Sequence, residues 1–257
     1  MLKINNNVAI IIATFNAEKT LQRCLESCLN QNYKELSIVI VDGASTDRTL
    51  EIIANYKQRL ALFISEVDAG IYEAWNKGIK NFKADWYCFM GADDTWFSND
   101  TVSLLMDRAA TFDCNLIASK IVPLNDGFDG ASFPIGSPFS ANGLRLGMKT
   151  PHPGMMHHYS LFYKYGSFDE NYLISGDFEF LVRARNGIKS IFLDSPSICM
   201  GQSGISNTKH SLVREETAAV IKKHFNYGFF YSLVYSTFFY MALCKKFLMR
   251  IFKEWVV

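Results

Sequence analysis

Four aspartates carry the chemistry most open to reading in this chain. Asp42, Asp68 and Asp93 each sit within three residues of the end of an apolar run, and Asp94 follows Asp93 directly. If those runs are parallel strands, the carboxylates gather on one edge of a sheet. Like charges that close repel unless a cation or hydrogen-bond donors offset them. Taken one at a time, Asp42 and Asp68 read as ordinary helix-capping acids. Gathered on one edge, the four point to a divalent cation, and hard oxygen ligands suit Mn²⁺ or Mg²⁺. Such ions commonly share their coordination with substrate phosphates, so a nucleoside-diphosphate compound is the expected ligand. Thr14 and Asn16, at the end of the first run, offer a hydroxyl and an amide that could read a base or ribose.

The runs that must position these groups alternate with helical patterns. Val8–Thr14, Leu36–Val41, Leu60–Ser65, Trp86–Met90 and Leu116–Ile121 read as strands. Continuous apolar, β-branched runs are expected where both faces of a sheet are covered, hence in a parallel sheet. Helices are expected at about 17–31, up to Tyr56, 71–82, 99–110, 160–165, 176–185 and 209–224, with a further strand at 190–193. Strand–helix alternation with short links makes βαβ units, whose ligands bind beyond the carboxyl ends of the strands. Pro123–Pro153, rich in Gly, Pro, Ser and Asn, reads as a long loop or irregular hairpin.

Lys plus Arg number 26 and Asp plus Glu 25 in 257 residues, which leaves no basic footprint for nucleic acid. A hydrophobic share of 49% argues against disorder. The six cysteines match no zinc spacing, and Cys24 and Cys28 read as small core residues on one helix face. No GxxxxGK[ST] and no GxGxxG follows the first strand, which excludes P-loop and dinucleotide folds. No signal-peptide pattern opens the chain, so a cytoplasmic protein is expected.

The ordered motifs resemble family 2 of the inverting glycosyltransferases, which have the GT-A fold. Ala13-Thr-Phe-Asn-Ala17, Val41-Asp-Gly-Ala-Ser-Thr-Asp47, Glu66-Val-Asp-Ala-Gly-Ile-Tyr-Glu-Ala-Trp-Asn-Lys-Gly78, Met90-Gly-Ala-Asp-Asp94 and Ser175-Gly-Asp-Phe-Glu179 carry the likeness over about residues 8–208. The resemblance implies an α/β GT-A fold, a mainly parallel sheet flanked by helices with a C-terminal aromatic helical tail. It implies a nucleotide-binding half at about 1–121, an acceptor half at about 122–208, and a tail at 209–257.

The same resemblance implies roles. Thr14 and Asp42 would contact the uridine, with Asp42 accepting from the uracil ring. Asp68, Asn76 and Lys77 would border the base, ribose and diphosphate. Asp93 would bind the metal with Asp94 close by, although Gly91 stands where a DxD triplet has its first acid. Asp177 would be the catalytic base, with Gly176 in place of the family's usual Glu and Glu179 as a second candidate. His152 would face the acceptor or pyrophosphate. His157 and His158 read as structural rather than metal-binding, and Gly201–Ser206 as a loop closing over the donor.

The implied reaction is transfer of a hexose or N-acetylhexosamine from a UDP-sugar to a lipid-diphosphate-linked saccharide, in O-antigen, lipopolysaccharide or capsule assembly. A nucleotide-sugar-binding scaffold without activity and a nucleotidyltransferase are the rival readings. From Phe225 to Cys244 no residue is charged and nine of the twenty are Phe or Tyr, and Lys245, Lys246, Arg250 and Lys253 follow. Aromatic area beside basic residues suits the cytosolic surface of an inner membrane, with packing on the domain or in an oligomer as the second reading and a span as the third.

Overall fold

The computed structural model describes residues 6–124, 133–201, 204 and 208–225. The strands are β1 (Val8–Thr14), β2 (Leu36–Asp42), β3 (Leu62–Ser65), β4 (Trp86–Gly91), β5 (Thr95–Trp96), β6 (Leu116–Pro123), β7 (Met156–His158) and β8 (Ser190–Met200). The helices are α1 (Leu21–Leu29), α2 (Thr49–Tyr56), α3 (Ile71–Asn81), α4 (Thr101–Thr111), α5 (Tyr159–Tyr165), α6 (Gly176–Ala184) and α7 (His210–His224). One sheet runs in the order β3-β2-β1-β4-β7-β6-β8-β5. β3, β2, β1 and β4 are mutually parallel, as are β6 and β8, while β7 lies antiparallel between β4 and β6.

The apolar runs fold as their patterns require. Val8 to Ile12 and Val39 to Val41 are fully buried, and α1 turns Leu21, Cys24, Leu25 and Cys28 onto the sheet. Each such side chain contributes about 1.5–3 kcal/mol on burial. Helix α3 comes closest. A Cβ on Gly78 would lie 2.6 Å from Cγ2 of Ile11, so only glycine lets this helix settle against β1. Residues in register along the parallel half, Thr14 with Asp42 and Asp42 with Ser65, bring the carboxyl ends of β1, β2 and β3 level.

Three features depart from the pattern. β7 and β5 are too short to carry a period. β8 is longer than the expected strand at 190–193, because a register shift near Ser119 and Lys120 lets it run on beside β6 to Met200. Within 133–153 the loop holds a single bridge, Ile121 with Ile135, and a short 3₁₀ turn at Gly143–Leu146. The five described cysteines are free thiols.

The chain divides into two units at 220/221 rather than at the expected 208/209. The first unit therefore takes in α7 as far as Val220. Of the second only 221–225 is described, and the expected aromatic tail otherwise lies outside the described residues. Among those residues no helix is long and apolar enough to cross a membrane.

Candidate active site

The strand-end groups fall into two neighbouring sets. The first joins β1, β2 and β3. Asp42 is completely buried, and its carboxylate accepts from Thr14 Oγ1 (3.0 Å), Ser65 Oγ (2.7 Å), and both the amide (3.0 Å) and hydroxyl of Ser45. A carboxylate has about four lone-pair sites, so this network fills them. For Asp42 to accept from a base, one of the hydroxyls must turn away.

Asn16 holds the facing turn. It adopts φ +48°, its amide donates to Ser45 Oγ (2.8 Å), and its Oδ1 accepts from the Thr46 amide (2.9 Å). Its side chain thus shapes the turn at 44–46. Asp68 reaches over Gly43, where a Cβ would lie 3.0 Å from Asp68 Oδ2. Burial raises the Asp68 carboxyl above its ordinary range, with Lys77 drawing it back.

The second set lines a cleft of about 650 Å³ that contains Gly91, Asp93, Asp94, His152 and Asp177. Asp94 is buried, and its two oxygens accept from the amides of Gly91 and Gly201, each at 3.0 Å. It therefore pins the end of β4 to the end of β8. Burial, and then the neighbouring Asp93, push its carboxyl up to about 7. The backbone at Gly201 passes so close to Asp93 that a Cβ there would lie 2.3 Å from its carboxyl carbon. A Cβ on Gly91 would lie 2.9 Å from Asp93 Oδ1, so the carboxylate of Asp93 occupies the space that the first acid of a DxD triplet would need.

Whether this set suits a cation is a question of donor chemistry. Among the described residues no cluster of three or more His, Cys, Asp or Glu side chains is placed to hold an ion. Two adjacent carboxylates in a cleft fit an ion of the Mg²⁺ or Mn²⁺ kind, which takes one or two protein carboxylates and completes its shell from water and phosphate.

Asp177 enters the cleft from the first turn of α6. Its Oδ1 accepts from the Phe178 amide (2.7 Å) and faces the Tyr72 hydroxyl (3.1 Å), which also donates to the Ile174 carbonyl. The side chain keeps 15% of its surface open. Burial raises its carboxyl to about 6, against the pull of the Phe178 amide and Tyr72. His152 Nδ1 stands 4.0 Å from Asp177 Oδ2, and burial lowers its imidazole to about 3. The ring is neutral, so the approach is not an ion pair. His152 stacks on Trp75 at 5.3 Å between centroids, within an aromatic cluster that includes Phe89 and Phe168.

Several expected residues are elsewhere. Asn76 does not reach the donor side. Its Nδ2 donates to the Phe168 carbonyl (2.9 Å) and Glu170 Oε1 (2.7 Å), and its Oδ1 accepts from the Phe168 amide (3.0 Å). It lines a separate cleft of about 970 Å³ near Asn7 and Asp85, at the amino ends of β1 and β4. The expectation that it borders the ribose is corrected by this orientation, since its hydrogen bonds already clamp the 168–170 loop. Lys77 lines the same cleft and pairs with Glu73 (2.8 Å) and Glu66 (3.0 Å), which ties it to its own helix and the segment before it.

Glu179 is buried and grips Arg183 at 2.9–3.2 Å, which removes it as a second base. His157 is buried among Phe89, Phe162 and Phe180 and held neutral by burial, while His158 caps α5 through Ser160. Residues 202–203 and 205–206 of the expected closing loop lie outside the described residues.

Glu216 on α7 was not foreseen. Its carboxylate accepts from the amides of Leu173 (2.8 Å), Ile174 (2.9 Å) and Ser175 (2.8 Å). A Glu-Glu pair on an amphipathic helix is the only trace it leaves in the sequence.

This arrangement defines an α/β fold with acidic strand ends and a second acid facing them across a cleft. It is the GT-A fold, shared with the Staphylococcus aureus TarS 1-349 structure in complex with UDP-GlcNAc (TM-score 0.66, 19% identity, 77% of this chain and 59% of that one). The mannosyltransferase PcManGT of Pyrobaculum calidifontis, in complex with GDP-Man and Mn²⁺, is also similar (TM-score 0.64, 18% identity, 86% and 65%). The chain spans less than two thirds of the length of these solved chains.

The profile of Glycosyl transferase family 2 matches residues 9–171, and the chain belongs to that family. A PGL/p-HBAD biosynthesis glycosyltransferase of Mycobacterium tuberculosis is 30% identical over 179 residues, 68% of each chain. A dolichyl N-acetyl-alpha-D-glucosaminyl phosphate 3-beta-D-2,3-diacetamido-2,3-dideoxy-beta-D-glucuronosyltransferase of Methanococcus voltae is 38% identical over 94 residues, 34% of this chain and 29% of that one.

Proposed function

We propose that this chain is a metal-dependent inverting glycosyltransferase. It moves a hexose or N-acetylhexosamine from a UDP-sugar to a lipid-diphosphate-linked saccharide in surface polysaccharide synthesis. The observation that carries this reading is that Asp93, at the end of β4, and Asp177, at the start of α6, line one cleft. The names of the relatives support it. They include a PGL/p-HBAD biosynthesis glycosyltransferase and a transferase named for a dolichyl-linked sugar phosphate, and the structural neighbours were solved with UDP, UDP-GlcNAc and GDP-Man.

In this reading Asp93, with Asp94 beside it, holds Mn²⁺ or Mg²⁺. The ion, when bound, offsets the charge of the diphosphate as it leaves. Asp177 takes the proton of the acceptor hydroxyl while that oxygen forms its bond to the anomeric carbon from the face opposite UDP. The bond from the anomeric carbon to the diphosphate breaks, and UDP departs with the electron pair. A raised carboxyl suits this task, because a base works best with a pKa near the operating pH. Trp75 and His152, buried and stacked on each other, form a neutral wall of the cleft beside Asp177. Thr14, Asp42 and Asp68 hold the nucleoside end. The aromatic and basic tail places the enzyme on the cytosolic face of the inner membrane.

The test is a panel of UDP-sugars with a synthetic lipid-diphosphate saccharide, with Mn²⁺ and with EDTA. Product mass identifies the sugar, and the anomeric proton coupling identifies inversion. Full turnover in EDTA, or a retained anomeric configuration, rejects the reading.

A further inference from the structure

Helix α6 begins without help from its own cap residue. Ser175 occupies the N-cap position and makes no side-chain capping bond. Instead, three consecutive amides ahead of the helix, those of Leu173, Ile174 and Ser175, converge on one carboxylate from a helix some forty residues away in sequence. Successive backbone N–H groups turned to a common point form an anion-binding concavity, and here Glu216 fills it. The same stretch borders the cleft. Leu173, Ile174 and Ser175 line it together with Val213 and Thr217 of α7, and Ser175 Oγ lies 3.4 Å from Thr217 Oγ1. The Ile174 carbonyl takes a hydrogen bond from Tyr72, whose hydroxyl also faces Asp177.

We propose that Glu216 is a positioning residue for the reaction, setting where the carboxylate of Asp177 stands and how readily it ionises. The inference rests on the reading of Asp177 as the base. Residue 216, like Asp177, lies beyond the segment 9–171 matched by the family profile. The mechanism is short. Glu216 fixes the backbone at 173–175, and that backbone fixes both the first turn of α6 and the carbonyl that anchors Tyr72. Tyr72 from α3 contacts Asp177, His152 from the loop before β7 stands 4.0 Å away, and Asp93, Asp94 and Lys149 line the same cleft. His152 is neutral and Tyr72 is held protonated by burial, and Glu216 on α7 acts on the Asp177 carboxyl by charge from behind the 173–175 backbone.

The experiment uses the full chain with Glu216→Gln, Glu216→Asp and Asp177→Asn. The readouts are kcat, KM for donor and for acceptor, the pH profile of kcat/KM, UDP binding and Tm. For Glu216→Gln the expected result is a kcat lower by about tenfold to a hundredfold, the cost of misplacing a reacting group by about 1 Å. UDP binding should hold, and the acid limb of kcat/KM should move to lower pH because a negative neighbour is gone. Glu216→Asp keeps the charge and should keep the acid limb.

A Glu216→Gln enzyme with unchanged kcat and an unmoved acid limb overturns the proposal. So does one whose kcat, UDP binding and Tm fall together, since that is loss of fold. Asp177→Asn separates the two readings. If that variant retains turnover, the base assignment has failed whatever Glu216 does. If it is inactive while Glu216→Gln is normal, only the role of Glu216 has failed.

Discussion

The ring of Tyr72 occupies the place where a side chain on residue 176 would begin: a Cβ added to Gly176 would lie 2.8 Å from Cδ2 and Cε2 of that ring. The same tyrosine sets its hydroxyl 3.1 Å from Asp177. Gly176 and the tyrosine on α3 are therefore matched: a side chain at 176 has no room, and the phenol reaches Asp177.

Gly176→Ala should accordingly destabilise the protein by about 1–3 kcal/mol, the usual cost of overpacking a filled site. Adding Tyr72→Leu, which clears the ring, should recover most of that loss without restoring turnover. Chemical denaturation of the single and double variants reads the coupling. Additive losses would show that positions 176 and 72 do not compete for the same space.

Asp177→Asn should lower kcat by at least about a hundredfold, the low end for general-base catalysis, with UDP affinity little changed. The pH dependence has a definite sign. Burial raises the carboxyl to about 6, and only the ionised form accepts a proton. So kcat/KM should be flat above that value and fall about tenfold per pH unit below it. An acid limb near pH 4 would show the carboxyl to be an ordinary solvated one.

Asp93→Asn should abolish transfer and weaken UDP binding in Mn²⁺, because an amide cannot offset the charge of the ion. In EDTA the two proteins should bind UDP alike. Titration calorimetry in both conditions measures this, and equal weakening with and without metal would assign Asp93 to the nucleotide rather than to an ion.

Truncation after His224 removes the aromatic and basic tail. Each basic residue near an anionic surface is worth about 1 kcal/mol. The shortened protein should therefore lose binding to anionic vesicles while still binding UDP and using a short soluble acceptor. If full-length protein ignores such vesicles at low salt, the membrane role is wrong.

The parallel strands β1 to β4 were open to sequence reading because their signals are local. A run such as Val8–Thr14 is buried on both faces, so it shows unbroken apolarity, and the residue that ends it is known to within a position. Asp42, Asp93 and Asp94 could thus be placed on one edge from their neighbours alone. The partners of those groups could not. β7 has three residues, too few to show a period, yet it lies between β4 and β6 and joins the two parallel parts of the sheet.

Tyr72 and Asp177 are 105 positions apart, and Glu216 is more than forty from the amides it holds. No local pattern encodes such meetings. Asn76 shows the converse case. Its motif was readable, but α3 presents 3.6 residues per turn, and burying Tyr72, Trp75 and Ile79 leaves Asn76 pointing at the 168–170 loop instead of the cleft. The types of the reacting groups were written in the chain. Which of them face one another was decided only when helices from distant segments packed against the sheet, because that choice depends on burial and not on order in the sequence.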